Sequence, residues 1–242
     1  MSLLEIKNLT VQFGGLKAVN DLSVTIQEGE LRCLLGPNGA GKSTTLDLIC
    51  GKTDATSGQI LFDGRDITRL PEYRRAQGGI GRKFQVPSVF KNLTVLENLE
   101  VANSARGGVL QTLSVFTTPM RGRMKEILDL VDLVDLIDVR AGNLSHGQMQ
   151  WLEIAMLLAQ NSKLILMDEP TAGMTIKETL RTAEIFQRLK GDHTLIVVEH
   201  DMQFVREVAE RVTVMNRGSL LADGSISEIE SDPQVKAVYL GH

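Results

Sequence analysis

Gly36-Pro37-Asn38-Gly39-Ala40-Gly41-Lys42-Ser43 fits the pattern G-x-x-x-x-G-K-[ST] at every required position. The chemistry this spacing can do is phosphate binding. Glycines let the backbone curl until successive N–H groups face one point, and that concavity suits an anion. The apolar run Leu31 to Leu35 reads as a strand entering the loop. Lys42 to Cys50 reads as a helix leaving it, which Gly51 can close. The helix N-terminus adds unpaired donors and the positive end of its dipole. Lys42 is then placed to reach the β- and γ-phosphates of ATP, Ser43 to ligate Mg²⁺, and Thr44 lies in the same first turn. Any glycine-rich turn before a helix shares part of this pattern; the strand and helix around it point to nucleotide binding.

Three further groups could complete such a site. Leu164-Ile165-Leu166-Met167-Asp168-Glu169 is an apolar strand ending in two carboxylates. Strands ending in acids are common, and this one gains meaning from lying downstream of a phosphate loop. At the C-terminal edge of a parallel sheet, its tip falls beside that loop. Asp168 can hold Mg²⁺ and Glu169 can polarise an attacking water as general base. His200, past another apolar strand, is either an exposed loop histidine or a hydrogen-bonding group for the γ-phosphate or the water. Ser145, in Leu144-Ser145-His146-Gly147-Gln148, is a good N-cap for the helix that follows. It marks either a capped helix start or a second phosphate-binding N-terminus. Far along the chain from the first loop, it could serve a nucleotide held by another copy.

The elements that must position these groups are legible in outline. Leu4, Ile6, Leu9 and Val11, then Leu22, Val24 and Ile26, read as strands, and Gly58 to Asp63 as another. From about 87 to 160 helical spacing replaces strand patterns, with Val95, Leu96, Leu99 and Val101, then Met124, Ile127, Leu128 and Val131, then Trp151, Leu152, Ala155, Met156 and Ala159. Strand–helix alternation resumes at Leu164 to Met167 with Ile176 to Leu189, and at Thr194 to Val198 with Met202 to Ala209. That alternation argues for a parallel sheet covered by helices. Short strands at Val212 to Met215 and Ser219 to Ala222, and a tail helix after Pro233, end the chain.

Composition bounds the function. The 242 residues are 43% hydrophobic and 23% charged, enough for a packed core. With 26 basic and 30 acidic residues the net charge is −4, so a nucleic-acid partner is disfavoured. No stretch approaches the ~18 uninterrupted apolar residues of a membrane span, and the first residues lack a signal-peptide layout. The expectation is a soluble, cytosolic chain that reaches a membrane through a partner. Cys33 and Cys50 read as buried thiols in a reducing compartment.

Taken in order, the motifs resemble the nucleotide-binding subunit of ABC transporters over essentially the whole chain. Gly36 to Ser43 corresponds to the Walker A loop, Leu164 to Glu169 to Walker B, and Leu144 to Gln148 to the L-S-G-G-Q signature. Gln85 resembles the Q-loop glutamine that touches Mg²⁺ and leads toward the permease, and His200 the switch histidine. Phe13, in Val11-Gln12-Phe13-Gly14-Gly15, resembles the aromatic that stacks on adenine. The resemblance implies an α/β fold: a RecA-like P-loop NTPase core with a mixed or parallel sheet (1–86 and 161–242), an antiparallel β subdomain and an inserted helical lobe (about 87–160). It implies catalysis by Glu169, His200 and Lys42. It implies ATP held by Phe13, Gly36, Pro37, Asn38, Gly39, Ala40, Gly41, Lys42, Ser43, Thr44 and Gln85, completed by Ser145 and Gly147 of a second cassette. Mg²⁺ would rest on Ser43, Gln85 and Asp168. Partners would be transmembrane permease subunits, an identical or different second ATPase and, indirectly, a periplasmic or extracellular solute-binding protein, with the chain peripheral on the cytoplasmic face of the membrane.

Two departures stand out. His146 replaces the first glycine of the signature, and Thr175, in Ala172-Gly173-Met174-Thr175, occupies the position of an acid. These segments and the tail Val235 to Gly241 resemble the branched-chain amino acid and amide importers, most of all the ATP-binding subunit of urea importers. Urea is the expected cargo, with branched-chain amino acids or short amides the alternative. A soluble ABC ATPase acting on DNA or ribosomes would bring a long coiled coil or tandem cassettes, and a P-loop kinase or GTPase would not explain Leu144 to Gln148 or His200.

Overall fold

The computed structural model describes residues 1–83, 88–104 and 118–240. Ten strands and nine α-helices lie among the described residues. In chain order they are β1 (Ser2–Phe13), β2 (Leu16–Gln27), β3 (Leu31–Leu35), α1 (Lys42–Cys50), β4 (Ser57–Phe62), β5 (Arg65–Asp66), α2 (Glu72–Gly78), β6 (Ile80–Lys83), α3 (Val95–Ser104) and α4 (Thr118–Leu130). There follow α5 (His146–Ala159), β7 (Leu164–Asp168), α6 (Ile176–Leu189), β8 (Thr194–Val198), α7 (Met202–Val208), β9 (Arg211–Asn216), β10 (Ser219–Gly224), α8 (Ile226–Ser231) and α9 (Pro233–Leu240).

The strands form two sheets. One is antiparallel, in the order β2-β1-β4-β5; the other runs β10-β9-β3-β8-β7-β6. The second is parallel from β9 to β6, and β10 pairs antiparallel with β9, so the sheet is mixed. All five residues of β3, β7 and β8 are buried, because both faces of a parallel sheet are covered. The pleat sends alternate residues to two cores. Leu34, Leu166 and Ile196 pack toward the antiparallel sheet and α1. Cys33, Met167 and Val197 pack toward α3, α5, α6 and α7. Both cysteines are buried and free.

Several elements differ from the sequence pattern for local reasons. Alternation in β1 changes phase between Ile6 and Leu9, where the register shifts and Asn8 takes φ +49°. This bulge keeps Leu9 and Val11 on the buried face. In α3 the buried stripe is Val95, Asn98, Leu99 and Ala102, at helical spacing, and Val101 points outward at 38% exposure. The edge strand β6 has no sequence signature, because Ile80 is followed by Gly81, Arg82 and Lys83. Lys83 is nevertheless buried, 3.8 Å from the Glu153 carboxylate of α5. Burial pushes the Lys83 ammonium down and the Glu153 carboxyl up, against their mutual attraction. Among the described residues no helix is long and apolar enough to cross a membrane.

Candidate functional site

Three strand tips meet at one edge. In parallel register Leu34 of β3 and Asp168 of β7 both pair with Val198 of β8. The glycine loop after β3, the carboxylates ending β7 and His200 after β8 therefore share the C-terminal edge of the sheet, where open α/β folds bind ligands.

The loop is fixed by its backbone. Gly36 has φ +148° and Gly41 φ +98°. A β-carbon at Gly36 would lie 2.3 Å from the Met215 carbonyl oxygen, and one at Gly41 2.4 Å from that of Ala18. Gly218 ties this region to β2, accepting from Asn20 N–H at 2.8 Å and donating to the Ala40 carbonyl at 3.0 Å. The Lys42 ammonium donates to the carbonyls of Gly36 at 2.6 Å and Pro37 at 3.0 Å, so it sits inside the curl. Burial pushes its pKa down, opposed by the nearby charges of Glu169 and Asp168. Asn38 and Gly39 are exposed at the rim, Pro37 is half-buried and Ala40 buried.

Helix α1 keeps its N-terminus open to an anion. Gly41 at the N-cap has no side chain to fill it, and the first turn carries no acid. Ser43 is exposed there, Thr44 is half-buried, and the Thr45 hydroxyl turns inward to the Gly41 carbonyl at 2.9 Å. The other end is satisfied internally. Gly51 closes the helix in the left-handed conformation, and the buried Arg75 donates to the carbonyls of Leu48 at 2.6 Å and Ile49 at 3.1 Å. The Arg75 cation at the C-terminus follows the helix dipole, and an anion is what the dipole favours at the other end.

Asp168 is buried at the end of β7. Glu169, the next residue, has φ +48°, a conformation few non-glycine residues adopt, and its N–H donates to the Val198 carbonyl at 2.9 Å. Its carboxylate lies 3.8 Å from His200 Nδ1, on a histidine ring that is largely exposed. Glu199, which sequence reasoning passed over, is buried between them. It accepts from the Thr171 hydroxyl at 2.6 Å and from the His200 N–H at 3.2 Å, joining the turn after Glu169 to the one carrying His200. An acid directly behind four buried apolar residues was the available signal. Phe13 ends β1 and is 53% exposed at the hairpin tip. Gln85 lies outside the described residues.

Ser145 and Gly147 form a second cluster. Ser145 caps α5 in a reciprocal box with Gln148. Its hydroxyl donates to Glu178 Oε1 at 2.9 Å, and the Gly147 N–H approaches the same oxygen at 3.3 Å. Glu178 also belongs to the capping box of α6, whose N-cap is Thr175. The His146 ring lies 3.2 Å from the Ala172 carbonyl oxygen. These bonds run to α6 and the turn before it, and none of them reaches the phosphate loop.

A family model described as ABC transporter matches residues 19–172, which takes in the loop, the Ser145 segment and the carboxylates. The chain belongs to the ABC transporter family. It is 35% identical, over 99% of its length and 98% of the other's, to the high-affinity branched-chain amino acid transport ATP-binding protein BraF of Pseudomonas aeruginosa. It is 36% identical, over 100% and 98%, to the lipopolysaccharide export system ATP-binding protein LptB of Haemophilus influenzae. Its structure resembles an ABC transporter cassette in its ADP conformation, with TM-score 0.85, 33% identity and full coverage of both chains. It also resembles a dimeric cassette in a post-hydrolysis state bound to ADP and Pi, with TM-score 0.77, 27% identity and coverage of 93% and 99%. The ABC cassette fold expected from the sequence is thus present, and the protein is an ABC ATPase. The expectation of urea finds no support in these relatives, which favour the branched-chain amino acid alternative.

Proposed function

We propose that this chain is the ATP-hydrolysing subunit of an importer for branched-chain amino acids, peripheral on the cytoplasmic face of the membrane. The observation that carries the chemistry is the shared edge of β3, β7 and β8, with Lys42, Asp168, Glu169 and His200 beside one another. Support for the cargo comes from the branched-chain amino acid transport relatives, which match nearly end to end. The lipopolysaccharide relative at similar identity marks the limit of that support, since an ATPase core can serve more than one cargo.

In this reading the N–H groups of Gly36 to Ser43 and the start of α1 cradle the phosphates. Lys42 exchanges its two loop carbonyls for β- and γ-phosphate oxygens. Ser43 and Asp168, a hydroxyl and a carboxylate, suit Mg²⁺, which takes one or two protein ligands beside phosphate and water. Mg²⁺ there would neutralise charge building on the phosphates. Glu169 accepts a proton from the attacking water, and His200 hydrogen-bonds the γ-phosphate. Phe13 stacks on the adenine. Ser145 and Gly147 serve the ATP of a facing cassette; their bonds within this chain run to Glu178 and none reaches its own loop. The helical part, about 87–160 with Gln85 at its entry, meets the permease.

The test is uptake by cells lacking the chain, with its permease and solute-binding protein intact. Loss of leucine uptake with urea uptake retained is the expected result. Loss of urea uptake alone overturns the cargo.

A further inference from the structure

We propose that Glu178 is an internal stand-in for the γ-phosphate, occupying the donors of Ser145 and Gly147 until the ATP of a facing cassette displaces it. This rests on the reading that those two residues serve a nucleotide in trans. One carboxylate bridges two helix N-termini. Its Oε2 accepts from the Thr175 N–H at 3.0 Å and the Thr175 hydroxyl at 2.9 Å, anchoring it to α6. Its Oε1 turns to α5, taking the Ser145 hydroxyl at 2.9 Å and the Gly147 N–H at 3.3 Å. These bonds hold the carboxyl below the usual carboxylate range, led by the Thr175 backbone bond and then Ser145.

A cap for α6 needs Oε2 alone, so the reach of Oε1 has to be explained separately. Serine hydroxyl and backbone N–H each have one hydrogen to give. While Oε1 holds both, neither is free for a phosphate oxygen, and two anions at one helix end repel. Closure around ATP therefore requires Oε1 to let go. The Oε2 anchor can persist while it does, which keeps the carboxylate close and lets it return after phosphate leaves. Gly147 fits the same account, because a β-carbon there would stand 2.7 Å from Oε1.

The experiment is steady-state ATP hydrolysis by the intact transporter, purified with its permease and second cassette. Removing the competing charge with Glu178→Gln is expected to lower KM for ATP by about fivefold, in line with charged hydrogen bonds at a helix end. Binding of a fluorescent ATP analogue to the isolated chain, which uses its own phosphate loop, should not change. Glu178→Asp, shorter by one methylene and still able to face Thr175, should lower KM by less, and it carries the test if Glu178→Gln fails to fold. An unchanged or raised KM in the folded variants overturns the stand-in and leaves Glu178 as a helix cap. Unaltered hydrolysis in Ser145→Ala would instead overturn the trans reading itself.

Discussion

The phosphate loop and the Ser145 segment both present a helix N-terminus, and they are built in opposite ways. Around Gly36 and Gly41 the shape is held by main chain packed against main chain, with the Met215 and Ala18 carbonyls where β-carbons would go. Around Ser145 and Gly147 it is held by side chains, above all one carboxylate from α6. Main-chain packing has a single arrangement at low cost. Side-chain hydrogen bonds can change partner without moving a strand. The loop is suited to hold a nucleotide, and in the reading proposed above the α5 end registers whether one has arrived.

The contrast can be broken most severely at the carboxylates. Glu169→Gln should slow ATP hydrolysis by about 10²-fold or more, the usual worth of a general base, with nucleotide affinity retained. Phosphate release and equilibrium binding measure the two separately, and near-normal turnover would remove Glu169 from that role. Next comes backbone rigidity. Gly41→Ala places a β-carbon against a carbonyl at positive φ and should cost about 1–3 kcal/mol with loss of nucleotide binding. Gly147→Ala meets a side chain that can rotate, so its cost should stay below about 1 kcal/mol. Equal losses in thermal or urea melts would erase the distinction. Ser145→Ala removes a helix cap worth about 1 kcal/mol. In mixed transporters it should silence the site whose phosphate loop is on the other chain; a defect in its own site would break the comparison.

The smallest effect lies away from both regions. Burial at the start of β8 holds His193 below its ordinary pKa. The unfolded chain then takes up that proton first, so stability should fall as pH drops below about 6.5. His193→Gln should flatten that limb of the stability–pH curve without altering hydrolysis near neutrality.

Sequence patterns were most legible where one local rule decides the outcome. Four apolar residues out of five mark β3 and β8 as covered on both faces, and the glycines around Lys42 mark the loop between strand and helix. Ser145 directly before a helical run was enough for the cap, and its reciprocal box with Gln148 appears only in the structure. Where outcomes depend on distant partners, the same reading failed. Strand β6 is polar, and only its pairing with β7 makes it a strand. Nothing near Glu178 announces that it reaches the start of α5, and His146 reveals its Ala172 contact only in the fold. Thr175 looked like a lost acid; in the structure its side chain caps α6. The cargo was the least legible feature, because no residue of an ATPase core touches it.

The placement of β3 has a consequence for how the protein is made. Its flanking partners are β8 and β9, so Leu31 pairs with Leu195 and Leu35 with Val214. A ribosome delivers the phosphate loop well before the strands that set its frame. Contacts so distant in sequence form slowly and leave apolar edges uncovered in the meantime. Nascent chains stalled before β8 should retain no nucleotide, since the central strand still lacks both neighbours. The newly made cassette therefore becomes able to use ATP only after β8 and β9 have followed the phosphate loop out of the ribosome.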